Sequence, residues 1–226
     1  MKINVIATGS SGNCYEILDN SGNSIVIEAG VPRQTFLKHR IGTTPPEMCI
    51  ISHGHSDHAQ YINEFRAVMQ TYIRQQKNES ENFKAFGFEM KHGEGFSTVF
   101  IIKSLVEDKF LFFGTDFEYN DNAIVFDVLK RYNVENFMIE CNYNDYLFHL
   151  ATDEQRQGCS RHLSDNDVVN FIRKSGAKNP KIITIHGSNR LSADTYTKKY
   201  ISSKLLTATV NVAVGAKNKQ KNLFII

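Results

Sequence analysis

No stretch of this sequence stays apolar long enough to cross a membrane. The N-terminus, Met1-Lys2-Ile3-Asn4-Val5-Ile6, runs from strand-like alternation into glycine and serine without the extended apolar core of a secretion signal. A membrane contact is therefore not expected. The four cysteines, Cys14, Cys49, Cys141 and Cys159, contain no CxxC pair and no regular framework. They read as reduced thiols and point to a cytoplasmic protein. A net charge of +2 leaves no excess of one sign to announce nucleic-acid binding, although a local basic patch can hide in a balanced total. With 41% hydrophobic and 22% charged residues in 226, one ordinary core suffices, and a single domain over residues 1–226 is the simplest organisation.

What is present is a run of short strands broken by small residues. Residues 2–7 predict an opening strand, Thr8 to Asn13 a tight turn, and Cys14 to Leu18 a second strand. Asn20-Ser21-Gly22-Asn23 predicts a hairpin with Ser24 to Glu28 returning. The Ser10-Ser11-Gly12-Asn13 turn is either only a turn or a place where Asn13 and backbone N–H groups face a phosphate. Thr35 to Arg40 predicts a short helix, and Met48 to Ile51 a buried strand. Beyond it, Tyr61, Ile62, Phe65, Val68, Met69, Tyr72 and Ile73 follow the three-and-four spacing of an amphipathic helix, and Arg74 to Asn82 reads as an exposed, mobile connection.

The densest chemistry lies between. Ile50-Ile51-Ser52-His53-Gly54-His55-Ser56-Asp57-His58 places four metal-competent side chains directly behind an apolar strand. In an extended chain alternate residues face one way, so His53 and His55 can hold one ion together. Asp57 and His58 fall where the chain turns into a helix and can point to a second. A carboxylate mixed with imidazoles suits zinc, manganese or iron better than calcium or magnesium. The alternative, three surface histidines in a polar loop, is disfavoured because the eight histidines of this chain would rarely cluster so tightly by chance.

The second half repeats strand, loop and helix. Phe83 to Lys91 leads into His92, and Phe96 to Ile102 pairs with Lys109 to Phe113, which ends in Gly114-Thr115-Asp116. Ala123 to Tyr132 predicts an amphipathic helix for which Asp121 is a ready cap, and Asn136 to Ile139 predicts a strand ending in Glu140-Cys141-Asn142. Ser164 to Asp167 reads as a capping box for a helix reaching Gly176. Lys181 to Ile185 predicts a strand delivering His186, Ser192 is placed to cap a closing helix, and Ala208 to Val214 predicts one more strand. Asn222 to Ile226 is a last strand or a packing plug. Four apolar strands, ending at Ile51, near Lys91, at Phe113 and at Ile185, thus each hand over to a histidine or aspartate.

The HxHxDH form of residues 53–58 resembles the signature of the metallo-β-lactamase fold superfamily of binuclear hydrolases. The resemblance implies an α/β fold, an αββα sandwich of two sheets flanked by helices. It also implies two divalent metal ions, Zn2+ in first place and Mn2+ as the other candidate. On this resemblance His53, His55 and His92 hold one metal, Asp57, His58 and His186 the other, and Asp116 bridges them; Asp57 can also orient the attacking water.

Several further stretches resemble the YycJ (WalJ) group of that superfamily: Gly9 to Asn13, Glu140-Cys141-Asn142, Arg161-His162-Leu163-Ser164 and His186-Gly187-Ser188-Asn189. That group is associated with exonuclease action on DNA and is also copied in phage genomes. It stands near the RNase Z branch and the phage phosphodiesterases that destroy cyclic-nucleotide defence signals. The resemblance implies a phosphodiesterase acting on a nucleotide or nucleic-acid substrate, and, as in relatives on the phosphodiesterase side, a homodimer. It places His162 where RNase Z-like relatives carry a general acid, with Glu140 to orient its ring. Glu28 in place of a more usual aspartate, Cys141 interrupting a longer polar run and Gly187 in place of leucine depart from the group, as does the short segment between His58 and His92, which argues against action on long DNA and keeps a small cyclic nucleotide open. A thioester or lactone hydrolase of the glyoxalase II type is the second enzymatic reading, and a metal-stabilised ligand-binding protein the third. His39 and His149 have nothing around them to suggest a role.

Overall fold

The computed structural model describes residues 1–120, 122–214 and 222–226. In chain order the elements are β1 (Lys2–Ala7), β2 (Cys14–Leu18), β3 (Ser24–Ile27), α1 (Arg33–His39), β4 (Met48–Ile51), α2 (Ser56–Ala59), α3 (Ile62–Arg66), β5 (Gln70–Ile73) and β6 (Lys77–Glu79). There follow β7 (Phe83–His92), β8 (Gly95–Ser104), β9 (Lys109–Gly114), α4 (Ala123–Arg131), β10 (Asn136–Glu140), α5 (Asp145–Leu150) and α6 (Asp153–Cys159). The chain closes with α7 (Asp165–Ser175), β11 (Lys181–Ile185), α8 (Asp194–Lys204), β12 (Thr209–Val212) and β13 (Leu223–Ile225). The strands form two sheets, one in the order β13-β1-β2-β3-β4-β5 and one in the order β12-β11-β10-β9-β8-β7-β6. Contacts divide the chain into two compact units, the first comprising Met1–Gly87, Phe100–Lys109 and Ala213–Ile226, the second Phe88–Val99 and Phe110–Val212.

In the first unit the strands come from short runs of branched and aromatic residues that bury every side chain in β2, β3 and β4. β1, β2 and β3 form an antiparallel meander, after which β3, β4 and β5 run parallel with Ile27 opposite Ile50 and Ile50 opposite Tyr72. Ile6, Val26, Phe36, Cys49, Ile51 and Phe65 are buried together in its core. The one charged residue of β2, Glu16, is also buried, and it is satisfied there. Its carboxylate accepts from the Asn4 amide at 3.1 Å and from the backbone N–H groups of Ile41 and Gly42 at 2.8 and 3.1 Å, fixing the exit of α1.

Two expectations fail in this unit. The helix predicted over residues 61–73 stops at Arg66, and Gln70–Ile73 forms β5 against β4 instead. Thr71, Tyr72 and Ile73 favour a strand, and an open hydrogen-bonding edge on β4 outweighs the helical spacing. Val68, assigned to a buried stripe, is accordingly 52% exposed. The segment 74–82 is also more ordered than a bare connection: β6 pairs antiparallel with β7, and Asn78 is buried, donating to the carbonyls of Gln75 and Ala85 at 3.0 and 3.3 Å.

In the second unit β9, β10, β11 and β12 are parallel neighbours, with Ile139 opposite both Gly114 and Thr184. Parallel strands place their carboxyl ends along one edge, where the loops carry chemistry. Behind them Phe171 of α7 meets Phe112, Phe117 and Phe126 with ring centres 4.8, 5.9 and 5.0 Å away. The expected capping box of α7 is present: Ser164 Oγ accepts from Asp167 N at 3.1 Å, Asp167 Oδ2 accepts from Ser164 N at 3.0 Å, and Gly176 closes the helix with φ 79°.

The cap expected from Ser192 is not made. α8 starts at an Ala193 cap position whose N–H donates to Asn144 Oδ1 at 2.8 Å, so a buried amide from a distant loop does that work. The cap of α4 is Asn122, which accepts from Val125 N at 3.4 Å, and the Asp121 expectation lies outside the described residues. Helices α5 and α6 were not anticipated. Among the described residues no helix is long and apolar enough to cross a membrane.

Candidate functional site

In the first unit the buried strand β4 runs into the histidine loop. His53 is 3% exposed, and its ring centre lies 4.4 Å from that of His55 and 4.5 Å from that of His58. Asp57 Oδ2 sits 3.2 Å from His58 Nε2. His53, His55, Asp57 and His58 are thus drawn together.

Backbone contacts hold this loop in shape. Asn13 N donates to Asp57 O at 2.8 Å and Ala29 N to His58 O at 2.7 Å, so the turns after β1 and β3 clamp it from both sides. Gly30 has to be glycine, since a Cβ there would stand 1.8 Å from Asp57 O. Asn13 is fully buried, with its amide Nδ2 3.3 Å from Asp57 Oδ2 and 3.2 Å from His58 Nε2. The turn it belongs to supports the histidine loop rather than presenting Asn13 outward. Glu28 is a residue the sequence analysis did not assign: fully buried, it faces His58 Nδ1 at 3.4 Å and accepts from Ser52 N at 3.3 Å. Its signal was a charged residue directly after the apolar run Ile25-Val26-Ile27. A carboxylate on Nδ1 fixes the ring and leaves Nε2 as the ligating nitrogen.

In the second unit the carboxyl ends of β9, β10 and β11 deliver Asp116, Glu140 and His186, exposed by 3%, 0% and 4%. Asp116 Oδ1 lies 3.3 Å from His186 Nδ1 and 3.9 Å from His162 Nδ1, and Asp116 Oδ2 lies 3.6 Å from His92 Nε2. Asp116 and His186 both have left-handed backbone, φ 52° and 54°, which costs side chains of this kind on the order of 1–3 kcal/mol. The surrounding hydrogen bonds hold them there. Thr115 Oγ1 donates to Asp116 Oδ1 at 3.1 Å, and the Asn142 amide donates to His186 O at 3.0 Å.

Glu140 is the hub of this cluster. Its Oε1 accepts from Phe117 N and Leu163 N at 2.9 and 3.3 Å, and its Oε2 accepts from His162 Nδ1 at 3.0 Å. The ring of His162 stacks on that of His186 at 5.5 Å and meets that of His92 at 5.3 Å. Burial alone depresses the His162 imidazole, but the Glu140 carboxylate, with Asp116 behind it, outweighs burial and holds it above the usual histidine range. His92 moves the other way, lowered chiefly by burial against the opposing pull of Asp116. The two neighbouring rings are therefore shifted in opposite directions, His162 upward by its carboxylate neighbours and His92 downward by burial.

The donor chemistry in each unit fits a transition metal. Asp116, Glu140, His162 and His186 each bring one donor atom to within 4.8 Å of the others, and imidazole with carboxylate is the set that zinc, manganese and iron take. His162, expected as a proton donor, thereby stands among possible ligands as well. The cysteines do not compete. All four are buried free thiols, and burial pushes Cys49 and Cys141 well above the usual thiol range.

No protein-family model matches this sequence, and no curated protein matches it either. Solved structures do. The metallo-β-lactamase fold protein YhfI from Bacillus subtilis superposes with a TM-score of 0.71 at 13% identity, covering 99% of this chain and 98% of that one. This chain has the metallo-β-lactamase fold. The short form of human tRNase Z shares it with a TM-score of 0.69 at 12% identity over 100% and 99% of the two chains. Yeast PDE1 does so with a TM-score of 0.64 at 10% identity over 95% and 98%. At such identities the likeness carries the metallo-β-lactamase fold and nothing finer. The α/β class and the two sheets are as the HxHxDH resemblance implied.

Proposed function

We propose that this protein is a binuclear metal-dependent phosphodiesterase acting on nucleic acid or a nucleotide. On this reading His53, His55 and His92 hold one cation and Asp57, His58 and His186 the other, with Asp116 shared between them. When bound, such a pair supplies Lewis acidity toward a phosphoryl group and lowers the pKa of water. The chain's own residues do the rest. Asp57 orients the attacking water, whose oxygen joins phosphorus as one P–O ester bond breaks. His162, held at Nδ1 by Glu140, carries a proton at Nε2 and delivers it to the departing alkoxide, giving an alcohol and a phosphomonoester.

The observation that carries this reading is the 3.0 Å Glu140–His162 pair beside Asp116 and His186. A thioester hydrolase expels a thiolate, a better leaving group, and has little use for such a proton donor; a lactone expels an alkoxide and is separated by the assay below. The fold-sharing structures include tRNase Z, a diphosphatase of the PhnP family and PDE1, which supports phosphoryl chemistry. A cytoplasmic location and a homodimer remain part of the proposal, consistent with the reduced thiols.

The test is a side-by-side assay of zinc- or manganese-loaded protein on single-stranded DNA, RNA, cyclic mononucleotides, a thioester and a lactone. Phosphodiester turnover exceeding the other two classes by at least about 100-fold, a difference of roughly 2.7 kcal/mol in barrier, is the expected result. Faster thioester or lactone hydrolysis overturns the assignment.

A further inference from the structure

The loops that carry Glu140 and His186 run on into α5 and α8, and those two helices present a row of aromatic rings that the cluster does not use. Tyr146 of α5 is 60% exposed and Tyr196 of α8 is 39% exposed, large values for side chains of this size. Tyr146 and Tyr196 have ring centres 6.2 Å apart at 30°, and Tyr196 and Tyr200 stand 6.0 Å apart with planes only 12° from parallel. Lys204 Nζ lies 5.7 Å from the centre of the Tyr200 ring and continues the row. On α8 the spacing Tyr196, Tyr200, Lys204 is that of one helix face, and the exposed Lys199 lies on the neighbouring ridge.

The row is built rigidly. Asn144, fully buried just before α5, donates from Nδ2 to Thr197 Oγ1 at 2.8 Å and to Asp165 Oδ2 at 3.1 Å, and its Oδ1 accepts from Ala193 N at 2.8 Å. One amide therefore ties the starts of α5 and α8 together and sets Tyr146 beside Tyr196. The local acids are accounted for: Asp165 is engaged by Asn144 and by Asp145 N, while Asp145 and Asp194 occupy the first turns of their helices, where the dipole favours them. The cations stand at the other end of α8.

We propose that Tyr146, Tyr196 and Tyr200 form a stacking platform for the bases of a single-stranded nucleic acid, with Lys199 and Lys204 meeting its phosphates. This rests on the phosphodiesterase reading above and narrows it from any phosphodiester to a polymeric, unpaired strand. Flat aromatic faces alternating with cations suit unstacked bases on a charged backbone, whereas a duplex offers no free base faces along its length. The cations that continue the row favour a phosphate backbone over a protein partner, which would use the same tyrosines as anchors without needing Lys199 and Lys204. The platform lies on α5 and α8, the helices that follow the Glu140 and His186 loops along the chain.

The test uses the full chain loaded with zinc and a fluorescein-labelled, phosphorothioate-linked dT oligonucleotide that resists cleavage. Fluorescence anisotropy should show Tyr146→Ala/Tyr196→Ala binding roughly ten-fold or more weakly than the parent, with Tyr196→Phe close to the parent. Because the chain has no tryptophan, tyrosine emission should fall when the oligonucleotide binds the parent and change less in the double variant. Both variants should hydrolyse bis(4-nitrophenyl) phosphate at the parent rate, since that small ester does not reach the platform. Circular dichroism and the single Tyr146→Ala variant, at the more exposed position, control for folding. A parent that does not bind the oligonucleotide, or a double variant that binds it as tightly, overturns the proposal. So does a parent dimer, seen by sedimentation, that the double variant loses without any change in oligonucleotide binding; the surface would then belong to a second copy. Oligonucleotide binding as described without hydrolysis of any phosphodiester sinks the catalytic reading and leaves the platform standing.

Discussion

Replacing Asp116 is expected to lower phosphodiester hydrolysis by on the order of 10³-fold and to reduce bound metal. The carboxylate is buried, and its two oxygens face different imidazoles, Oδ1 toward His186 and Oδ2 toward His92. No other side chain of the second unit has that split arrangement among the described contacts. Asp116→Ala and Asp116→Asn should be compared because they fail differently. Alanine at φ 52° adds a backbone penalty of roughly 1–2 kcal/mol, whereas asparagine tolerates left-handed backbone and removes only the charge. Both variants should lose activity and metal, measured by elemental analysis, but only the alanine variant should also melt earlier in its metal-free form. An Asp116→Asn protein with full metal and full activity would remove Asp116 from the bridging role.

His162→Ala should slow hydrolysis of a nucleic-acid phosphodiester by about 10²–10⁴-fold while metal content stays unchanged. The deficit should depend on the leaving group. A sugar alkoxide needs a proton as it departs, but 4-nitrophenolate does not, so the variant should come much closer to the parent on bis(4-nitrophenyl) phosphate. An acid produces that dependence; a metal ligand or a structural residue does not. Loss of metal on His162→Ala would instead place the ring among the ligands, where its distance from Asp116 and His186 also allows it to act. A uniform deficit on both substrates would exclude the proton-donor role.

Much of this architecture was legible because each signal was local. β1, β2, β4 and β11 follow from short apolar runs bounded by turn residues, and α7 follows from a capping box whose partners lie three residues apart. The histidine loop was legible for the same reason, as four donors in a single segment. Residues 61–73 misled because the spacing of their apolar residues fits a helix, while the decision belonged to the unpaired edge of β4, which is not encoded nearby. Glu28 and Asn144 were missed on similar grounds. Each is a polar residue whose work is done on a partner far along the chain, His58 in one case and Thr197 and Ala193 in the other. The pairing of His162 with Glu140 could be anticipated only through resemblance, since the two residues lie 22 positions apart in the chain and 3.0 Å apart in the fold.

The proposed function assigns metal ligands both to the histidine loop after β4 and to the strand ends of the second unit. Elemental analysis of the purified chain and of two variants tests it most directly, with His53→Ala/His55→Ala altering the first unit and His186→Ala the second. The account predicts two transition-metal equivalents per chain in the parent and a loss in each variant, accompanied by loss of phosphodiester hydrolysis. A parent that hydrolyses phosphodiesters at full rate without metal, or variants that each retain both equivalents, would contradict it.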